Sequence, residues 1–384
     1  MDNILIAEIK KVLKHAQNKK IIIWGTANIA AYIFSVVRAL GKDVAYFLDS
    51  RESSQGQTYL GKEVKSPYDI IYEETEQIIV ILGFTNSFEV EEIVKEIGLE
   101  MNKNCYDLNK IEQPKRCDMF DPLLGYSRMD DIEGYKILNP GRNKKIVIFG
   151  GSTTDWSVSH INAWPFYLNQ RLIQEGYEYS VYNGAIVGYY SSQELLKCMR
   201  DCLSLQPDLV ISYSGINDAN WVKTNQTHPY ICDYLFENCE KIMKNTVVVR
   251  AGTSQVEEIG YGQTWQKDDK DLWIDNMRMM HALCEEFGIK FFTFLQPTEF
   301  YGNYKLSEIE RTVLYEQYGE KDIVRVREFF EYTSKETQKY NYMHDFTRIF
   351  EGDIEGVFYD SMHTDERGNK IIADKIFKAI EKYI

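Results

Sequence analysis

Two successive trains of short apolar runs, each closed by glycine or a turn and followed by a segment of helical spacing, constrain this chain more than any other feature. The first train reads KKIIIWG (19–25), DVAYFLDS (43–50), EQIIVILG (76–83) and NKNCYDL (102–108), with helical stretches after the first and third. One of these, TANIAAYIFSVVRALG, runs to a terminal Gly41. The second reads KIVIFGG (145–151), YSVYNGAIVG (179–188), PDLVISYSG (207–215), NTVVVRAG (245–252) and IKFFTFLQP (289–297), again separated by helical segments and closed by DERGNKIIADKIFKAIEKYI. Strands that alternate with helices pair in parallel, because each helix carries the chain back to the same edge of the sheet.

Between the trains, residues 111–145 lose periodicity and collect proline, glycine and charge, the mark of a connector. The expected fold is α/β: a Rossmann-like parallel-sheet domain at 1–112, a connector at 113–143, and a three-layer α/β/α, flavodoxin-like domain at 144–384. A Tyr-, Glu- and Lys-rich stretch at about 299–345 reads as a helical insertion that caps the site.

With 44 basic against 58 acidic residues, the formal charge of −14 repels phosphate backbones and anionic membrane surfaces, so nucleic acid is not an expected partner. No apolar run approaches the roughly 18 residues that a membrane span needs. The first twenty residues lack the continuous apolar core of a secretory signal, and the expected location is the cytoplasm. Seven dispersed cysteines, Cys198 and Cys202 among them on one helix face, fit buried reduced thiols. Six histidines show no paired spacing of a zinc site, and no metal is expected.

In an open parallel sheet, reactive groups collect just past the carboxyl ends of strands. Ser152 stands there, in IVIFGGSTTDWS, where it reads either as a nucleophile or as the N-cap of a helix with Asp155 closing a capping box. Gly188, after another strand, reads as a bare backbone N–H beside a substrate oxygen or as a turn glycine. Asn217 and Asp218, in SYSGINDAN, read as an amide donor with a carboxylate tying down its loop, or as an ordinary Asn-Asp turn. Asp360 and His363 are three apart before the last helix, a spacing that lets the carboxylate orient the imidazole. His160, His228 and His344 are candidates for the cleft wall, and Trp156 and Trp221 for sugar stacking, with surface or core packing the plainer reading of each.

Ser152, Gly188, Asn217 and His363, in that order, resemble the four blocks of the SGNH (GDSL-type) hydrolases, a likeness that runs from DPLLGY near residue 120 to the C-terminus. The resemblance implies a serine esterase with Ser152 as nucleophile, His363 as general base and Asp360 as its orienter, and an oxyanion hole from Ser152, Gly188 and Asn217. It implies no cofactor for catalysis. One departure is Gly151, where the family often carries aspartate. The expected reaction is hydrolysis of a small acyl ester, acetyl above all, on a small molecule or carbohydrate. A carbohydrate O-acyltransferase uses the same residues and stays open, as does a non-catalytic glycan- or nucleotide-binding component. Oligomeric state is not legible.

After the first strand, GTANIA is a degraded dinucleotide-binding turn, with Gly25 kept, Ala27 in place of the second glycine and Ala30 suited to the third. Asp49, at the end of the next strand, stands where a ribose-binding carboxylate would. Gly25 and Asp49 are thus candidates for a nucleotide or nucleotide-sugar, the alternatives being a structural or protein-contact role. A nicotinamide-dependent oxidoreductase would leave the second domain unexplained.

Overall fold

The computed structural model describes residues 4–26, 28–84, 88–108, 111–112, 118–121, 123–128, 135–155, 157–158, 163–221, 269–302, 304, 306–350 and 356–384. The run NTVVVRAG lies outside them, as do Ala27, Trp156, His160 and His228.

The chain opens with helix α1 (Ile4–Lys14), whose apolar residues Leu5, Ile6, Ile9, Val12 and Leu13 recur at helical spacing and are all buried. A first sheet follows: β1 (Lys20–Trp24), β2 (Val44–Leu48), β3 (Thr58–Tyr59), β4 (Lys62–Lys65), β5 (Ile78–Leu82) and β6 (Cys105–Asp107). Its order is β3-β4-β2-β1-β5-β6, parallel throughout except for the β3-β4 hairpin. Helices α2 (Asn28–Ala39) and α3 (Phe88–Glu96) provide the crossovers. Every residue of β5 is buried, as a strand covered on both faces requires. The β3-β4 hairpin carries too little apolar pattern to stand out in the sequence; Gly61, at φ 78°, turns it.

Described residues of the connector form short strands. A short strand β7 (Ile111–Glu112) precedes the hairpin β8 (Asp118–Asp121) and β9 (Gly125–Arg128), and β10 (Lys136–Leu138) joins the second sheet as an antiparallel edge. The second sheet then uses β11 (Lys144–Gly150), β13 (Tyr179–Asn183), β14 (Leu209–Ser214), β15 (Lys290–Leu295) and β16 (Met343–Asp345), while β12 (Ser157–Val158) pairs back with β7. Its order β10-β13-β11-β14-β15-β16 contains the doubly wound arrangement 2-1-3-4-5 with all five of those strands parallel.

Among the described residues, seven α-helices accompany it: α4 (Ser152–Asp155), α5 (Trp164–Gln174), α6 (Ser191–Lys197), α7 (Ile216–Trp221), α8 (Asp269–Glu286), α9 (Glu308–Thr337) and α10 (Glu366–Ile380). Helices α5 and α10 pack together, and α6, α8 and α9 form a second group. Asp365 starts α10 by accepting from the Gly368 amide at 2.9 Å. The core is one cluster of Val, Ile, Phe and Trp side chains from β11, β14, β15 and the helices, each worth about 1.5–3 kcal/mol when fully buried.

The stretch read as a capping insertion holds α9, bent at Gly319, whose φ of 72° breaks the helical path. Val326, Phe329 and Phe330 belong to the core of the second sheet, and Val313 packs into the apolar cluster of the first unit. The helix therefore spans both units, with its apolar residues turned into their cores.

Candidate active site

The loops that follow β11, β13, β14 and β15 emerge along one sheet edge, because parallel strands end on the same side. Strand β11 passes through Gly150 and Gly151 into the single turn α4, where the amides of Thr154 and Asp155 both donate to the Gly151 carbonyl at 3.1 Å. The Ser152 hydroxyl is directed elsewhere: its Oγ is 2.8 Å from His363 Nε2. His363 Nδ1 is in turn 2.8 Å from Asp360 Oδ2.

Asp360 holds the imidazole and its own loop together. Its Oδ1 accepts the backbone N–H of His363 at 2.7 Å and that of Met362 at 2.9 Å. Burial disfavours its charge, but the facing His363 and these hydrogen bonds prevail and hold the carboxyl below the usual carboxylate range. An ionised carboxylate only accepts, so Nδ1 carries the imidazole proton and the Nε2 lone pair faces the serine hydroxyl.

Asn217 begins its approach one residue into α7, directly after β14. One N–H of its amide goes to the Tyr189 carbonyl at 2.9 Å. A Cβ added to Gly151 would stand 2.5 Å from the same Nδ2, so the glycine that departs from the expected aspartate is what admits this amide beside Ser152. Gly188 has φ 78°, a left-handed conformation that strains any residue with a side chain.

Behind these loops lies a buried polar network. Asp218 accepts from the Ser191 amide at 3.1 Å and from its hydroxyl at 2.5 Å, tying the Asn217 helix to the Gly188 loop. Asn276, from α8, donates to the hydroxyls of Ser191 and Ser192. Glu194 accepts from Ser212 at 2.6 Å. Burial pushes the Asp218 carboxyl up to about 7 and that of Glu194 up to about 8.

Sequence reasoning missed Gln296, which follows β15 as the others follow their strands and whose Oε1 lies 3.5 Å from Thr153 Oγ1. Its place past a strand end was the available signal. His344 sits in β16, stacked on Phe294 at 4.9 Å. Cys198 and Cys202 are buried.

In the first sheet the candidate residues have partners within the protein. Arg51 forks onto the Asp49 carboxylate at 3.0 and 2.8 Å, and Thr26 donates to it at 2.5 Å. Burial works against that charge, and the Arg51 and Thr26 hydrogen bonds overcome it and lower the pKa. The space a Cβ on Gly25 would need is taken by Phe84, 2.9 Å away. Among the described residues no group of three or more His, Cys, Asp or Glu could hold a metal ion.

Residues 148–308 match the GDSL-like Lipase/Acylhydrolase family. The second unit belongs to the GDSL-like acylhydrolases. It is an ester-cleaving serine hydrolase. The match ends before Asp360 and His363, whose place beside Ser152 is a finding of the geometry.

Solved structures similar to the acylhydrolase unit include TesA, at 14% identity and a TM-score of 0.37, covering 63% of this chain and 100% of that one. An acetylxylan esterase from Geobacillus stearothermophilus, Axe2, is 14% identical with a TM-score of 0.39, covering 63% and 96%. The acetyl xylan esterase AlAXEase is 17% identical with a TM-score of 0.34, covering 62% and 99%. No curated protein matches the chain. No described helix is long and apolar enough to cross a membrane.

Proposed function

We propose that the acylhydrolase unit cleaves a short-chain ester through an acyl-serine intermediate, with Ser152 as nucleophile, His363 as general base and Asp360 as its orienter. The observation that carries this reading is the continuous line of two 2.8 Å contacts from Asp360 through His363 to Ser152. A serine hydroxyl is a weak nucleophile at neutral pH and needs a base in contact. As Ser152 Oγ bonds to the ester carbonyl carbon, its proton passes to His363 Nε2, and Asp360 stabilises the imidazolium. The carbonyl oxygen takes up the negative charge, facing the Ser152 and Gly188 amides and the second N–H of Asn217. The leaving alcohol then takes the proton from His363. Water, deprotonated by the same imidazole, attacks the acyl-serine; the bond from Ser152 Oγ to the acyl carbon breaks, the acid leaves and His363 returns the proton to Ser152.

Polar groups lie against the chain neighbours of Ser152, Asn217 and the Tyr189 carbonyl at Gly151 and Gln296 at Thr153, and this supports an acetyl group on a carbohydrate alcohol over a long acyl chain. The test is a panel of acetyl, butyryl and long-chain nitrophenyl esters and acetylated sugars, with Ser152→Ala and His363→Ala alongside, and labelling by a fluorophosphonate. Acetyl ester cleavage and labelling should both vanish in Ser152→Ala. Undiminished hydrolysis by either variant removes the reading, and faster formation of an acyl-sugar than of free acid converts it to a transferase.

A further inference from the structure

The loop that carries Asp360 and His363 is held from outside its own domain. It is a tight turn, closed by the Tyr359 amide donating to the His363 carbonyl at 2.6 Å and by a bridge between Phe358 and Thr364. Its opening residues belong in part to the first unit. The amides of Ile4 and Leu5, the first two of α1, donate to the carbonyls of Phe358 and Tyr359, both at 3.1 Å. Such first-turn amides have no partner inside their own helix, so the catalytic loop satisfies them and is gripped in return.

Tyr359 makes the third contact. Its ring is buried in the apolar cluster of the first unit, with Leu5, Ile9 and Val313, and its hydroxyl donates to the Leu108 carbonyl just past β6. Tyr359 is covalently next to Asp360, whose Oδ1 accepts two backbone amides of the same turn. A shift of the tyrosine therefore moves the carboxylate that orients His363.

Resting on the triad reading above, we infer that the first unit is a working part of the esterase, and that Tyr359 is a positioning residue through which it sets the Asp360–His363 pair against Ser152. The hydroxyl of Tyr359 touches neither substrate nor the reacting atoms; it fixes where the turn begins. General-base catalysis depends on a hydrogen bond of ordinary length to the nucleophile, so a displacement well under the width of an atom suffices to weaken it. This gives the attached domain a role in catalysis that needs no ligand at its own sheet edge.

The test compares the parent protein, with both units present, with Tyr359→Phe and with Tyr46→Phe. Tyr46 is a matched control, a buried first-unit tyrosine on the opposite face of the sheet, whose hydroxyl bonds Glu73 at 3.2 Å. Acetyl ester kcat and KM, the rate of fluorophosphonate labelling, and the far-downfield proton NMR signal of the His363–Asp360 hydrogen bond are measured on each. Circular dichroism checks folding. Tyr359→Phe should lose about tenfold in kcat and labelling rate with KM unchanged, and its downfield resonance should shift or broaden. Tyr46→Phe should match the parent in all three. Equal kcat and an unshifted resonance in Tyr359→Phe overturn the inference while leaving the triad standing. If the parent neither hydrolyses esters nor labels, the triad reading fails first and the inference with it.

Discussion

Replacing Gly151 by alanine removes no polar group, yet on the proposed reading it is a substitution at the centre of catalysis. The added methyl would stand 2.5 Å from Asn217 Nδ2 and 3.5 Å from the Tyr189 carbonyl oxygen. The second distance is an ordinary contact; the first requires the amide to retreat by about 0.9 Å to reach the usual 3.4 Å or so. Because the atom in the way is the tip of a side chain, the fold yields there, and stability should change by no more than about 1 kcal/mol. Catalysis should suffer far more. Full loss of an oxyanion donor costs about 10²–10³ in kcat, or roughly 2.7–4 kcal/mol, and a misplacement near 1 Å about 10². We therefore expect kcat for an acetyl ester to fall about a hundredfold in Gly151→Ala, with the thermal midpoint nearly constant. The double-mutant cycle with Asn217→Ala sharpens the test, since the methyl has nothing to displace once the amide is gone. The double variant should be about as slow as Asn217→Ala alone. Multiplied losses in the double variant, or a Gly151→Ala enzyme within about threefold of the parent, would refute the reasoning.

Two further expectations follow from the titratable groups. Asp360→Asn turns an acceptor into a group that can donate to His363 Nδ1, favouring the wrong tautomer, and kcat should drop by on the order of 10⁴ with little change in KM; a loss under tenfold counts against Asp360 as orienter. Glu194, raised by burial to about 8, holds a proton in the folded state at pH values where the unfolded carboxyl, near 4.3, has lost it. Its contribution to stability thus declines as pH rises between those values, by up to ~1.4 kcal/mol per pH unit. Glu194→Gln, which can still accept from Ser212, should flatten the urea-unfolding midpoint between about pH 5 and 8, and an unchanged slope would contradict the burial argument.

Much of the scaffold was legible because its signals are local. Runs such as IIIW and IVIFG are apolar on both faces, which a strand covered by helices demands, and these two reappear as central strands. Parallel strands also share an edge, so residues just past their ends had to approach one another. Ser152, Gly188 and Asn217 could be nominated on that ground without coordinates. The β3-β4 hairpin, β10 and β16 were missed because short edge strands carry little periodicity.

What the amino-acid order determined alone was thus the alternation, the two parallel sheets and the edge on which chemistry collects. Tertiary structure decided the rest. The hydroxyl of Ser152 had two local uses, cap or nucleophile, and the contact that favours the second comes from His363, 211 positions away in the chain. That Arg51 and Thr26 stand against Asp49, and that Asn217 lies where a side chain at position 151 would go, was likewise settled by the fold. Tyr359 carries no motif at all; the role proposed for it comes from lying between Leu108 and Asp360. The physical reason is common to these cases: strand and helix preferences act over a few bonds, whereas a hydrogen bond between distant segments depends on the packing that brings them together.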